Sequence, residues 1–136
     1  MTYKEFFSDD RFAADAGVEI LDIRPGYGRV RMLVTPRHLN AGGVCQGGAL
    51  FTMADLAFAI AVNSHGVLTF STSANITFIR SVSQGYVYAE AREVVDHPRM
   101  PFVEVRITDE DGQLLAVLSS SGYRKKGAAI GATDEL

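Results

Sequence analysis

Residues 38–64 read HLNAGGVCQGGALFTMADLAFAIAVNS, and this stretch decides the fold of the chain. A glycine-rich loop runs directly into a segment that is apolar nearly all round, with Asp55 as its single charge. The segment is too short and too interrupted by Asp55 to cross a bilayer. It therefore predicts a buried helix over Gly47–Asn63, covered on most sides and ended by His65-Gly66.

The same stretch indicates a functional site. An ionised carboxylate among apolar residues is costly unless solvent, a partner or a reaction makes use of it, and Asp55 is such a group. The Gly47-Gly48 pair allows another molecule to approach the free N–H groups at the helix start. One element thus combines an anion-stabilising helix end with a carboxylate.

The composition is that of one ordinary globular domain over residues 1–136. Apolar residues make up 47% of the chain and charged residues 21%, and the formal net charge of −3 argues against bulk nucleic-acid binding. Cys45 is the only cysteine, which excludes an internal disulfide, and the histidines lack metal-ligand spacing. Early charges predict no signal peptide. We therefore expect a cytoplasmic protein without a metal and without a membrane or nucleic-acid partner.

Residues 1–16 predict a short N-terminal helical segment. Ser8 is the expected N-cap, Asp9 and Asp10 favour the first turn, and Gly17 ends the run. Three aromatic side chains are expected to pin this helix to the body of the protein. They are Phe6, Phe7 and Phe12.

Outside the helices, alternating apolar and polar residues predict strands. Two precede the long helix and four follow it: Val18–Arg24, Tyr27–Thr35, Thr69–Arg80, Tyr86–Val95, Phe102–Thr108 and Leu114–Arg124. Hairpin-length gaps between the later strands predict an α+β fold, in which an antiparallel sheet of about five to six strands wraps around one central helix. Residues 127–136 are expected to form a disordered tail.

Two spaced patterns resemble a known family. They are Asn40-x-x-Gly43-x-x-Gln46-Gly47-Gly48 with Leu50-Phe51-x-x-Ala54-Asp55-x-Ala57-Phe58, and Asn75-Ile-Thr-Phe78-Ile-Arg80. Together they resemble the hotdog-fold acyl-CoA thioesterases of the phenylacetate-degradation (PaaI-like) type. The resemblance implies the hotdog fold, hydrolysis of an aryl-acetyl-CoA or medium-chain acyl-CoA to free acid and CoA, and no cofactor beyond the CoA of the substrate. It also implies a homodimer or a homotetramer.

The resemblance also implies roles for two residues of the helix. The Gly47 N–H matches the donor to the thioester carbonyl oxygen, and Asp55 matches the general base or nucleophile. Each has a structural alternative. Gly47 could simply make the loop-to-helix turn, and Asp55 could bond a backbone amide or a serine on the facing strand.

Further candidates follow from the same match. Asn40 corresponds to an asparagine that orients the thioester or water, and its alternative is an Asx turn. Ser71 corresponds to a hydroxyl that steadies the attacking water, and its alternative is a serine of a strand that faces solvent. Gln46 stands where the family commonly has histidine; it can position a thioester but carries no proton that titrates near neutral pH. The substrate-binding candidates are Gly48, Phe51, Thr52, Phe58, Ser73 and Arg80.

Several candidates have a second interpretation. Thr52 is placed to hydrogen-bond Asp55. The pocket-wall candidates are either walls or core, and the cationic candidates either meet the CoA phosphates or are merely solvated. The walls are Phe51, Met53, Phe58 and Phe78, and the cations are Arg80, Arg99, Arg124, Lys125 and Lys126.

The spacing of Gly47 and Asp55 bears on the assembly. Eight positions on a helix span about 12 Å, whereas a thioester carbon has to lie within about 3.5 Å of its attacker. One helix therefore cannot supply both groups to one substrate. A second, antiparallel helix could, which predicts a composite site at a two-fold dimer interface, with two sites per dimer.

Three other functions compete with thioester hydrolysis. One is a non-catalytic acyl- or aryl-CoA-binding module on the same fold, which Gln46 keeps open. A second is nucleophilic chemistry at Cys45 with His38, for which no acid that would orient the histidine is evident. A third is hotdog hydro-lyase chemistry, which usually needs a histidine before the two glycines.

Overall fold

A computed structural model describes residues 1–132 and contains six strands and three α-helices in that range. The helices are α1 (Tyr3–Ser8), α2 (Arg11–Asp15) and α3 (Gly47–Asn63). The strands are β1 (Val18–Arg24), β2 (Tyr27–Val34), β3 (Val67–Phe78), β4 (Gly85–Val95), β5 (Phe102–Thr108) and β6 (Leu114–Ala129). The strands form one antiparallel sheet in the order β1-β2-β4-β5-β6-β3.

The sheet wraps around α3, ten of whose seventeen residues are buried. Small and β-branched side chains on the inner face of the sheet leave room for the helix, and Val30, Ala89 and Val105 are fully buried. The closest approach is at Gly28 of β2, where a Cβ would lie 2.7 Å from Ile60 Cγ2. The predicted α+β hotdog architecture around one central helix is confirmed.

The N-terminal segment differs from the prediction, because it contains two short helices. Thr2 caps α1 through a reciprocal capping box with Glu5, and the Asp10 carboxylate caps α2 by accepting the Ala13 N–H at 3.1 Å. Ser8 ends α1 instead of starting a helix, since its hydroxyl donates to the Lys4 carbonyl. Phe6 and Phe7 pack on the core as expected, but Phe12 is 75% exposed and pins nothing.

Two strands also differ from the prediction by two residues or more. Strand β3 starts at Val67 and ends at Phe78, earlier than expected at both ends. Strand β6 continues through residues 127–129, which were expected to belong to a disordered tail, and the Ile130 N–H then donates to the Gly66 carbonyl. Residues 133–136 of the expected tail lie outside the described residues.

The sheet ends in a long edge strand. β3 pairs with β6 on one side only, so the backbone groups along its other edge have no strand partner within residues 1–132. Most of its side chains are exposed, among them Phe70 at 56% and Phe78 at 51%. Such an edge is a template for pairing with another strand. None of the described helices is long and apolar enough to cross a membrane.

Candidate active site

The loop before α3 is held by its own hydrogen bonds. The Asn40 Oδ1 accepts the N–H groups of Gly42 and Val44 at 2.9 and 3.3 Å, which makes the Asx turn that was one of two interpretations of this residue. Gly43 follows with a φ of +80°, a conformation that favours glycine. Next, the Gln46 N–H donates to the His38 carbonyl at 2.8 Å. These bonds fix where α3 begins and leave the Asn40 NH₂ group available to a ligand.

The first turn of α3 presents unused donors. Gln46 occupies the N-cap position but its side chain does not cap the helix, and the amide N–H groups of Gly47 and Gly48 have no partner within residues 1–132. The positive end of the helix dipole lies at these amides. Together they can stabilise a negative charge that develops on a bound oxygen.

Asp55 lies on the exposed face of the same helix. Gly48, Thr52 and Ala59 share this face at helical spacing, and none of them is fully buried. The Asp55 carboxylate has no hydrogen bond or ion pair within the described range, so neither structural alternative for this residue is seen in the protomer. The predicted bond from Thr52 is wrong, because the Thr52 hydroxyl donates to the Gly48 carbonyl at 2.8 Å.

The environment of Asp55 makes its carboxylate more basic than that of a fully solvated aspartate. The apolar residues around the carboxylate remove part of its hydration, which raises its pKa, and the negative charge of Asp10 raises the pKa further. The Asp55 side chain is exposed in the single chain, but buried apolar residues of α3 precede and follow it in the helix. A carboxylate of raised pKa without a partner is suited to accepting a proton.

A cavity of about 420 Å³ lies at the start of α3. It brings together four of the predicted residues, Asn40, Gln46, Gly48 and Thr52, and adds Arg37. Arg37 is exposed and has no ion pair within residues 1–132, so it offers a free cation beside the helix start. Arg80, the predicted cation, instead donates to the Leu114 carbonyl and does not line this cavity.

Some predicted residues lie elsewhere. Phe58 is 2% exposed and Met53 is fully buried, so both belong to the core and have no surface to offer a substrate; as a pocket wall Phe58 is wrong. Phe51 is half-buried and packs on that core. Ser71 and Ser73 lie on β3 away from the cavity, and Ser71 Oγ lies 3.1 Å from Ser120 Oγ.

The geometry disfavours Cys45 as a nucleophile. The thiol is buried, and desolvation raises its pKa, which reduces the thiolate fraction. His38 is not its partner: its Nε2 donates to the Ala16 carbonyl at 2.6 Å, and its Nδ1 accepts the Thr35 N–H. His38 therefore ties the end of α2 to the corner after β2.

A charged cluster lies at the opposite end of α3. The ligand atoms of His65, Glu93 and Asp96 lie within 4.8 Å of one another. The guanidinium of Arg124 enters the same cluster, 3.1 Å from Asp96 and 3.8 Å from Glu93. A cation therefore already occupies this position, and Arg124, considered above for the CoA phosphates, is committed to a largely buried ion-pair network.

Two residues near the candidate site were missed by the sequence interpretation. Arg37 follows Pro36 without a motif around it, and only the fold shows that it faces the helix start. The sequence indicates Asp10 as a helix-start residue, which it is, but its influence on Asp55 spans 45 positions. No local sequence pattern reports such a long-range effect of charge.

Comparison with known proteins identifies the family of the chain. The model of the thioesterase superfamily matches residues 42–116. A protein of Archaeoglobus fulgidus named "Putative esterase" is 34% identical over 119 residues, which cover 87% of this chain and 77% of that protein. The acyl-coenzyme A thioesterase PaaI of Escherichia coli is 29% identical and is covered to 90%, with 92% of this chain aligned.

Solved structures give the same result. The E. coli PaaI protein from the phenylacetic acid degradation operon superposes with a TM-score of 0.87 at 27% identity, covering 91% of both chains. A mutant of the phenylacetic acid degradation protein PaaI from Thermus thermophilus superposes with a TM-score of 0.82 at 31% identity, covering 85% of this chain and all of that one. The chain belongs to the thioesterase superfamily, as a hotdog-fold enzyme of the PaaI-like type.

Proposed function

We propose that this protein is an acyl-CoA thioesterase, which hydrolyses an aryl-acetyl-CoA or medium-chain acyl-CoA to the free acid and CoA. The observation that carries the proposal is the Asp55 carboxylate, which has a raised pKa, lies on the exposed face of α3 and has no partner within residues 1–132. The first amides of the same helix also have no partner in that range. The PaaI of E. coli, similar over nearly the whole chain, is named as an acyl-coenzyme A thioesterase.

In the proposed reaction, the Gly47 N–H donates to the thioester oxygen as it gains negative charge, assisted by the helix dipole. Asp55 accepts a proton from a water that attacks the carbonyl carbon, or attacks the carbon itself before water does. In the base route, the tetrahedral intermediate expels the CoA sulfur, which takes up the proton held by Asp55 and leaves as a thiol. In the nucleophilic route, the expelled thiolate leaves a mixed anhydride on Asp55, and the water that hydrolyses this anhydride to the free acid also supplies the proton of the thiol. The raised pKa of Asp55 makes this carboxylate a better proton acceptor than an ordinary aspartate.

Gln46 has a positioning role in this proposal. Its side chain folds back over the first turn of α3, so a Cβ on Gly48 would lie only 2.6 Å from Gln46 Oε1. Glutamine can hydrogen-bond the thioester through its amide but holds no proton that titrates near neutral pH. Proton transfer therefore falls to Asp55 alone.

We infer that the complete site needs two subunits. Gly47 and Asp55 are about 12 Å apart along one helix, and neither is fully buried in the single chain. The unpaired edge of β3 offers a place where a second copy can add its own β3 and bring its α3 alongside. The Asp55 of one subunit would then serve the Gly47 of the other, and the cavity with Arg37 would take part of the anionic CoA arm.

Subunit complementation tests this site directly. Asp55→Asn and Gly47→Val proteins, each inactive alone, are mixed under conditions that exchange subunits. In a heterodimer one composite site regains both wild-type groups, so random mixing returns about one quarter of the wild-type thiol release, provided that each site draws on both chains. A site contained in one chain gives no recovery. Sedimentation of each variant establishes that the dimer has formed.

A non-catalytic acyl-CoA-binding module remains the second candidate, because Gln46 cannot shuttle a proton near neutral pH. The two functions differ in one measurement. A thiol reagent reports free CoA from a panel of aromatic and straight-chain acyl-CoAs if the protein is an enzyme. Saturable binding without thiol release would support the binding module and overturn the enzymatic proposal.

A further inference from the structure

A second cavity of about 330 Å³ lies on the far side of Asp55 from the helix start. Leu56, Ala59 and Asn63 of α3 line it. Asp55 does not itself line the cavity, but it lies one turn before Ala59 on the same helix face and next to Leu56 in the chain. The cavity at the helix start, with Gly48 and Thr52, lies on the opposite side of Asp55.

The walls of this second cavity are mainly apolar. Phe6 and Phe7 contribute from α1, their rings edge to face at 5.2 Å, and Leu68 contributes from β3. Asn63 adds no free polar group, since its amide donates to the Ala59 and Thr69 carbonyls and accepts the Thr69 N–H. A concave apolar site of about 300 Å³ or more is typical of small-molecule pockets.

The polar part of the lining carries negative charge. Asp9 and Asp10 lie at the junction of α1 and α2 and line the cavity together. Asp9 has no ion pair within residues 1–132, and Asp10 uses one oxygen to cap α2. Neither Arg11 nor Lys4, the nearest cationic residues along the chain, lines it. A ligand group that carries a negative charge would meet two carboxylates here, and no cationic side chain among the lining residues would offset the repulsion.

We propose that this cavity takes the acyl group of the thioester, and that Asp9 and Asp10 make it select uncharged acyl groups over those that end in a carboxylate. The inference rests on the proposed function, since it places the thioester beside Asp55. It assigns selectivity to the N-terminal helices, which lie outside the part of the chain that matches the family model. The cavity with Arg37 is left for the CoA arm.

Filling the cavity tests the first half of the proposal without relying on turnover. In the Asp55→Asn background, calorimetry measures how much more tightly hexanoyl-CoA binds than free CoA. Ala59→Phe should reduce that acyl-dependent gain about tenfold or more, because the ring occupies the space of the chain. Ala14→Phe is the matched control, since Ala14 is exposed on α2 and does not line this cavity. An unchanged gain in the Ala59→Phe protein would overturn the assignment.

Charge reversal tests the second half. Hexanoyl-CoA and adipoyl-CoA have the same six-carbon chain, but adipoyl-CoA ends in a carboxylate. Asp9→Arg should shift the ratio of their kcat/KM values about fivefold or more toward adipoyl-CoA. Asp111→Arg, the same charge change on a distant hairpin, should leave the ratio unchanged. Equal ratios in wild type and Asp9→Arg would refute the charge selection.

The two proposals fail differently. If wild-type protein releases no thiol from any acyl-CoA, the proposed function fails. Both halves of the inference are then read from affinity instead of rate. The affinity of hexanoyl-CoA relative to free CoA, measured by calorimetry, still decides whether the cavity holds an acyl chain. The relative affinities of hexanoyl-CoA and adipoyl-CoA for wild type and Asp9→Arg decide the charge selection.

Discussion

The ring of Phe78 lies directly over Gly47, so that a Cβ on Gly47 would be 2.7 Å from Phe78 Cζ. This contact joins the end of β3 to the first residue of α3. The proposed oxyanion donor is therefore a glycine because an aromatic ring covers the place of its side chain. Phe78 is 51% exposed, so the ring has room to move if it is pushed.

Gly47→Ala should lower activity more than stability. The new methyl group pushes the Phe78 ring aside and so changes the space around the Gly47 amide. A misplacement of 1 Å at a reacting group costs about 100-fold in rate. Alanine is a better helix former than glycine, which offsets part of the crowding. We expect kcat/KM to fall about tenfold or more while the melting temperature stays within a few degrees of wild type. The double variant Gly47→Ala/Phe78→Ala should recover activity relative to Gly47→Ala; no recovery would show that the loss is not steric.

Asp55→Asn should abolish hydrolysis and stabilise the fold at neutral pH. The folded protein holds the Asp55 proton more tightly than the unfolded chain, because its pKa is raised on folding. The charged form therefore costs stability once the pH rises through the window between the ordinary and the raised pKa. Asparagine removes that cost, so its gain should be present at pH 7 and shrink as the pH falls into the window. Urea unfolding at fixed protein concentration measures it, and a gain independent of pH would contradict the argument.

Asp10→Asn should move the acid limb of the activity profile to lower pH. The negative charge of Asp10 raises the pKa of Asp55, so its removal lowers that pKa and keeps the base ionised in more acidic solution. Asparagine is as good an N-cap as aspartate, which preserves the bond to the Ala13 N–H. The profile of kcat/KM against pH is compared with that of Asp111→Asn, which removes one charge far from the site. Coincident limbs in the three proteins would rule out the coupling.

The parts of the fold that the sequence predicts are those in which apolar residues recur in a regular pattern. The helix Gly47–Asn63 is apolar nearly all round, and the strands alternate, so both were recognisable without tertiary information. The N-terminal helices were harder to predict, because three possible N-cap residues, Thr2, Ser8 and Asp10, occur within nine positions. Thr2 with Glu5 forms the capping box, a local signal that the sequence contains, whereas Ser8 competes only weakly.

The candidate site divides in the same way. The resemblance of one loop and helix to the family's pattern points to Gly47, Gln46 and Asp55, whereas the effect of the Asp10 charge on Asp55 and the place of Arg37 depend on how distant segments pack. Phe58 was misjudged for a related reason. On a helix that is apolar on every side, the sequence does not tell which aromatic residue faces the core and which faces a ligand.

Arg124→Met should destabilise the protein far more than Arg106→Met. The side chains of Arg124 and Glu93 are only 12% and 9% exposed, so methionine would remove the arginine beside the buried Glu93 carboxylate and leave it the His65 Nε2 contact at 2.8 Å. Breaking such a pair costs about 3–5 kcal/mol, and the lower end is expected because Nε and Nη2 of Arg124 lack hydrogen-bond partners. The pair of Arg106 with Glu104 is 57% and 42% exposed, and its loss should cost less than about 1 kcal/mol. Urea unfolding of both variants at one protein concentration makes the comparison, and similar losses would mean that the Arg124 cluster is as solvated as a surface pair.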